Sequence, residues 1–336
     1  MMMDYLNALV AFLNFVFVPA LSYGSQLAIG ALGVTLISGV LRFSNFAWGD
    51  TMAFGTAVVI LFTWWFQSLG ISAGPLPTAL LAIPFSIIIT SALLLTTDRL
   101  VYRFYRRQKA KPIILVIVSA GVMFVMNGVV RLLIGTGEQN FADGGRFLIS
   151  AQEFKDTTGL AEGLAIKTTT AVTLVTALVT MALLFWFLQK TRTGKSMRAF
   201  SDNEDLALLS GINPDRVVQV TWVIAAALAV IAGSLYGLDK SFRPLIYFQL
   251  LLPIFASAVV GGLGSPMGAV AGAFVVAFSE IVVTYAWKKV LTYVLPASMA
   301  PDSLMQLLST DYKFAVSFSI LIIVLLFMPT GLFKGK

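Results

Sequence analysis

The chain has no cysteine and no histidine among its 336 residues. The first absence excludes disulfides and thiolate chemistry. The second removes the side chain that most often binds metals or shuttles protons near neutral pH. Charge is scarce as well: 12% of the residues are Asp, Glu, Lys or Arg, roughly half the share of an ordinary soluble domain. So little polar material cannot cover a water-exposed surface. Apolar residues fill the space instead, at 58% of the chain and a mean hydropathy of +0.89. They recur in blocks of about 20, each long enough at ~1.5 Å per residue to cross a hydrocarbon core of about 30 Å.

In lipid every backbone N–H and C=O must be satisfied within the protein, so a spanning chain is either helical or a closed β-barrel. Barrel strands alternate over roughly ten residues, whereas Leu76–Leu95 and Phe314–Phe327 are continuous apolar runs. The expected fold is therefore all-α, a polytopic integral membrane helical bundle of about eight transmembrane helices. Spans are expected near Tyr23–Leu41, Trp48–Leu69, Leu76–Thr97, Pro112–Gly135, Thr169–Leu188, Val217–Gly237, Gly268–Trp287 and Tyr312–Met328. A further stretch, Leu250–Val260, is short for a plain crossing; it begins earlier, or it is a broken or re-entrant segment ended by Gly261, Gly262 and Gly264. No linker or second soluble domain is visible, so residues 1–336 read as one membrane domain.

The opening MMMDYLNALV has no basic region and no small-residue cleavage site before its apolar stretch, so it does not read as a cleavable signal peptide. Asp4–Pro19 is short, ends in proline and places Asn7 and Asn14 seven residues apart on one helical face. An N-terminal interfacial helix on the outer surface is the preferred reading. The alternative, in which residues 5–22 span, adds one crossing.

Lys and Arg in short loops set orientation. Asp98–Lys111 carries Arg99, Arg103, Arg106, Arg107, Lys109 and Lys111, and Lys190–Arg216 carries Lys190, Arg192, Lys195, Arg198 and Arg216. Both belong in the cytoplasm, together with Arg42, Lys334 and Lys336. The mixed-charge loop Thr136–Lys167 and the stretch Ala286–Ser309 then face outward. On this reading the net charge of +7 is an orientation signal, not a nucleic-acid footprint.

Few motifs carry chemistry. Gly194-Lys195-Ser196 resembles the end of a phosphate-binding loop, but the required earlier glycine is Gln189 and no strand precedes it. No nucleophile–base pair stands out, so no catalytic residue, resident cofactor or metal is expected. Asn45 and Asp50 sit where they can cap a following helix and complement its dipole. Glu280 lies deeper in its segment, and a membrane-buried acid is costly enough to be a functional candidate; a hydrogen-bonded packing pair is the plain alternative. Arg131, beside Asn127, can snorkel to the outer interface. Gly24, Gly30, Gly33, Gly261, Gly262, Gly264, Gly268 and Gly272 permit close helix approach or local breaks. The inward loop Thr191–Arg216 is polar and holds a short helix from about Asn203 to Gly211, with Asn213-Pro214 turning into the next helix. It is the natural place for a soluble partner to dock.

Four blocks in order resemble a known family. They are Gly24-Ser25 with Ala28, Gly30 and Gly33, continuing to Asn45-Phe46-Ala47 and Gly49-Asp50; Thr193-Gly194-Lys195 with Arg198-Ala199, Leu209, Gly211-Ile212 and Asp215; Gly261-Gly262-Leu263-Gly264-Ser265 with Gly268-Ala269 and Gly272; and Pro329-Thr330-Gly331-Leu332-Phe333. Together they are similar to the LivH-type permease subunit of ATP-binding-cassette importers for branched-chain amino acids, whose relatives carry polar amino acids or urea. Trp48 stands where that family usually has His.

The resemblance implies a transmembrane permease subunit of the bacterial inner membrane, with a cytoplasmic C-terminus. It would pair with a homologous permease, as a heterodimer. Two cytoplasmic ATP-binding subunits would use ATP and Mg, and a periplasmic binding protein would deliver solute. Gly194, Lys195, Arg198, Ala199, Leu209, Gly211, Ile212 and Asp215 would form the ATPase-coupling loop. Asn45, Asp50, Asn127, Gly261, Gly262, Gly264 and Glu280 are the pathway or helix-packing candidates. The competing reading is an ion-coupled secondary transporter or channel working without an ATPase, which would draw on Asp50, Arg131 and Glu280 as intramembrane charges.

Overall fold

The computed structural model describes residues 2–295, 303–328 and 331–333, and these are helical almost throughout. Among the described residues, nine helical stretches are long and apolar enough to cross a membrane. In chain order the helices are α1 (Met2–Phe12), α2 (Val18–Leu41), α3 (Trp48–Ser68), α4 (Ala79–Thr97), α5 (Arg103–Arg107), α6 (Pro112–Ile134), α7 (Ala151–Thr158), α8 (Thr168–Lys190), α9 (Arg192–Asp202), α10 (Glu204–Leu209), α11 (Pro214–Lys240), α12 (Pro244–Gly261), α13 (Pro266–Thr284), α14 (Lys288–Val294) and α15 (Lys313–Phe327). A short antiparallel pair, β1 (Phe147–Ile149) with β2 (Ile166–Lys167), lies in the long loop before α8, with Phe147 opposite Lys167. Lys334, Lys336 and the Pro329-Thr330 part of the final sequence block lie outside the described residues.

The N-terminal stretch is not a separate interfacial helix. One π-helical turn, Leu13–Phe17, joins α1 to α2 without interruption. Pro19 falls in the first turn after it, where the wider turn accommodates a residue that cannot donate to the helix. Asn7 and Asn14 do share a face, but the face meets protein. Asn7 Oδ1 accepts from the backbone N–H groups of Ala161 (3.1 Å) and Glu162 (3.2 Å), and Asn14 Oδ1 accepts from Ala165 (3.0 Å). The segment expected from Leu250 starts earlier, at Pro244, and is one 18-residue helix with Pro253 inside it. At about 27 Å it is long enough to cross. Its polar start is absorbed locally, since Tyr247 is buried and donates its hydroxyl to the Gly233 carbonyl at 2.8 Å.

Lipid tails are as apolar as leucine, so helices associate in a membrane through close packing and polar contacts rather than hydrophobic exclusion. The bundle is built accordingly. Every residue from Ser22 to Ile37 is buried, which puts α2 at the centre, packed chiefly against α13, α11 and α12. A Cβ on Gly24 would lie 2.6 Å from the Phe274 ring, and one on Gly30 2.9 Å from Ile254. At Gly33 it would overlap the indole of Trp48, which is fully buried. By contrast α6, α8 and α15 present Phe124, Leu132, Val175, Leu178, Leu326 and Phe327 outward, as helices at a lipid boundary do.

The two ends of the bundle are chemically different. One gathers Arg42, the cations of α5 and α9, the short helix α10, the α12–α13 turn and residues 331–333. The other holds the β-pair, α7 and α14. At that second end Asp143 accepts from Thr78 N–H (2.7 Å) and Gln67 Nε2 (2.8 Å). Burial alone would raise the Asp143 carboxyl, but the hydrogen bonds from Thr78 and Gln67 together outweigh it and hold the group below its ordinary value. Nearby, exposed Glu138 is lowered by the Ser241 hydroxyl (2.5 Å) and by Arg243 (Nε at 2.9 Å).

Candidate functional site

At the basic end the chain leaves α8 through Thr191, whose hydroxyl caps α9 by accepting from Gly194 N–H at 3.0 Å. Gly194 fits so tightly under α8 that any Cβ would overlap the Phe187 carbonyl. Gly194-Lys195-Ser196 is thus the first turn of a helix, with the geometry of a cap and not of a phosphate cradle. Met197 and Phe200 anchor α9 in the core, and Ser201 Oγ donates to the Gly39 carbonyl at the end of α2 (3.0 Å).

Asn203 caps α10 by accepting from Leu206 N–H (3.1 Å). The helix then stops at Gly211 (φ +80°), where Gly211 N–H bonds the Leu208 carbonyl and Ile212 N–H the Ala207 carbonyl, each at 3.0 Å. This is a Schellman ending, which needs a left-handed residue and so favours glycine. Asn213 caps α11 through Arg216 N–H (3.2 Å), and Asp215 pairs with Arg103 at 2.9 Å. Every join in the loop is capped or pinned, yet Leu206, Leu208 and Leu209 remain exposed, Leu209 by 85%. An apolar knob on a rigid mount results.

The sequence-predicted loop residues do not all share this surface. Lys195, Arg198 and Ala199 face a cavity of about 960 Å3 that is also walled by Thr35 and Ser38 of α2 and by Gly264 of the α12–α13 turn. Leu209 projects away on α10. Gly194, Gly211 and Ile212 shape the chain, and Asp215 pins it.

The candidates within the bundle separate in the same way. Asn45 does not cap α3; its Oδ1 accepts from Ala47 N–H (3.1 Å) and from the Tyr102 hydroxyl (3.4 Å), shaping the turn before the helix. Asp50 is in the first turn of α3 but is bound sideways, accepting from Asn127 Nδ2 of α6 at 2.7 Å, with Arg131 one turn further within electrostatic reach. Arg131 itself is exposed, as a snorkelling side chain would be. Glu280 is buried on α13; among the described residues no group makes a hydrogen bond of normal geometry to either oxygen, and the Tyr23 hydroxyl of α2 and Lys313 of α15 are polar groups that face it.

Gly261, Gly268 and Gly272 join α12 to α13 so closely that a Cβ on any of them would overlap the other helix's backbone. Gly262 and Gly264 adopt positive φ (105° and 89°) in the turn between them. The chain end docks on the same place, Leu332 N–H bonding the Val260 carbonyl at 2.8 Å. Among the described residues no acidic cluster is arranged to hold a metal ion.

One network was missed from sequence. The expected loop Asp98–Lys111 is helical as far as Arg107, because α4 continues through a π turn, Asp98–Tyr102, into α5. Buried Asp98 accepts from Arg106 twice (2.5 and 3.0 Å) and from the indole N–H of Trp222 on α11 (2.8 Å). Tyr102 stacks on Trp222 with ring centroids 5.4 Å apart. The available signal was a lone acid heading a run of cations.

A central helix buried on all sides, lipid-facing helices around it and a folded loop at one end define a multi-pass membrane protein. The model of the branched-chain amino acid transport system / permease component family matches residues 16–325, and the chain belongs to that family. It is 31% identical to the high-affinity branched-chain amino acid transport system permease protein LivH of Escherichia coli K12, over 92% of this chain and 91% of that protein. It is 28% identical to the BraD permease protein of Pseudomonas aeruginosa, over 94% of each chain. A probable branched-chain amino acid transport permease protein LivH of Methanocaldococcus jannaschii is 24% identical over 79% of each.

Proposed function

We propose that this chain is the permease subunit of an ATP-binding-cassette importer, moving branched-chain or a broader range of amino acids across the inner membrane by alternating access. A homologous permease completes the pathway, in a heterodimer. Two ATP-binding subunits consume ATP and Mg at the basic, cytoplasmic end, where the C-terminus also lies, and a periplasmic binding protein delivers solute at the other end. The names of the relatives support the substrate class, and the segregation of Lys and Arg supports the orientation.

The observation that carries the reading is the α9–α10 loop. A purely solvated loop has no reason to be capped at Thr191, Asn203 and Asn213, pinned through Asp215 and still expose three leucines. An apolar knob on such a mount suits a groove in a soluble partner and transmits rigid-body motion to α8 and α11. Truncating or recharging Arg198–Asp215 in a reconstituted complex should abolish stimulation of the ATPases while the membrane domain keeps its thermal stability. Unchanged coupling would remove the basis for the reading. Uptake by this chain alone, driven by an ion gradient, would favour an ion-coupled transporter built on buried Glu280.

A further inference from the structure

The cavity at the basic end has features that partner docking does not use. At about 960 Å3 it falls in the range of small-molecule sites. Three cations line it, Arg42 from the end of α2 and Lys195 and Arg198 from α9, against the single carboxylate of Asp202. Among the described residues none of the three cations is in a salt bridge. Arg42 holds a left-handed backbone, φ 56°, where glycine is the least strained residue. The N-terminal turn of α13 meets the cavity at Ser265 and Pro266, which adds the positive end of a helix dipole. Thr35 and Ser38 of α2 line the wall between them. Cations gathered on a cavity wall without matching carboxylates are what an anionic ligand would satisfy. Phe43, Leu188 and Leu263 give the remaining wall an apolar character.

The geometry points to a binding site for an organic anion, a carboxylate or phosphate carried on an apolar body, held by Arg42, Lys195 and Arg198. Two sources share that chemistry: a small apolar carboxylate reaching the cavity from the cytoplasmic side, and the headgroup of an anionic phospholipid. The site needs no ATPase, so it can be tested without assuming the import mechanism.

The full chain is placed in nanodiscs of phosphatidylcholine alone, and binding of labelled isovalerate is measured, with leucinamide as the competitor lacking a carboxylate. In parallel, protein purified from phosphatidylglycerol-containing membranes is examined for retained lipid by native mass spectrometry. The site predicts saturable, salt-weakened isovalerate binding that leucinamide does not displace, or selective phosphatidylglycerol retention. Lys195→Gln and Arg198→Gln should each weaken it about tenfold or more, while Arg198→Lys largely preserves it. Both cations are exposed, and thermal stability measured alongside separates loss of binding from loss of fold. The inference is overturned if neither anion binds. It is also overturned if the double variant binds as the wild type does, including the case where that variant instead loses ATPase stimulation in the complex, which would assign the charges to docking.

Discussion

Replacing Asp98 with alanine tests whether the basic end is held by a buried polar network or by packing alone. The Asp98 carboxylate joins α4 and α5 to α11 by accepting from Arg106 and Trp222. Asp98→Ala leaves the Arg106 guanidinium, only 20% exposed, without its counter-charge, and the buried Trp222 indole N–H without an acceptor. Breaking a buried pair by removing one partner costs about 3–5 kcal/mol, and the orphaned indole adds to the upper part of that range. Scaling the unfolding entropy to this chain length, about 4 kcal/mol lowers the melting temperature by about 6 °C. The exposed pair Arg103–Asp215, with side chains 34% and 53% accessible, is the internal control, since Arg103→Gln should cost about 1 kcal/mol or less. Asp98→Asn keeps an acceptor for the indole and should fall between the two. Melting of the purified protein in one detergent, with all variants side by side, reads the order directly. If Asp98→Ala melts no lower than Arg103→Gln, the network is not what holds this end together.

Gly33→Ala should destabilise by about 1–3 kcal/mol through overlap with the Trp48 indole, and adding Trp48→His, a smaller ring, should restore much of the loss in the same melting assay. Asn127→Leu removes the one side-chain hydrogen-bond partner that buried Asp50 has among the described residues; it should cost about 1–3 kcal/mol, and Asp50→Asn on the same background should recover part of it. Because the folded Asp143 carboxyl lies below its ordinary value, its stabilising bonds to Thr78 and Gln67 are fully present above the unfolded value. They are lost as pH falls through the folded one. Amide exchange at Thr78 should therefore accelerate below about pH 4, and Asp143→Asn should show raised exchange already at neutral pH.

Apolar run length placed the helices well, because lipid imposes a minimum span that composition alone reveals. The errors came where a polar residue has a distant partner. For Leu250–Val260 the sequence left open an earlier start or a break; α12 starts at Pro244, and the Tyr247 hydroxyl in the added turns bonds Gly233, fourteen residues before it. Asn7 and Asn14 suggested a water-facing surface but serve a loop more than 150 residues away. Asp98 bonds Trp222 across 124 residues. Local sequence carries no trace of such pairs, whereas the caps at Asn203, Gly211 and Asn213 are local and were readable. The cavity that takes Lys195 and Arg198 was not, since its walls come from α2, α9 and the α12–α13 turn, and only the fold brings them together.

The central claim, that this chain is the membrane half of an ATP-powered amino acid importer, is tested most directly by uptake of labelled leucine into liposomes holding the chain, its partner permease, the ATPases and the binding protein. Uptake should require ATP inside the basic-end compartment and fall to background with Leu206→Asp and Leu209→Asp together, while the assembled membrane domain melts as before. Uptake that proceeds without ATP on an imposed ion gradient, or that survives those two substitutions, would contradict it.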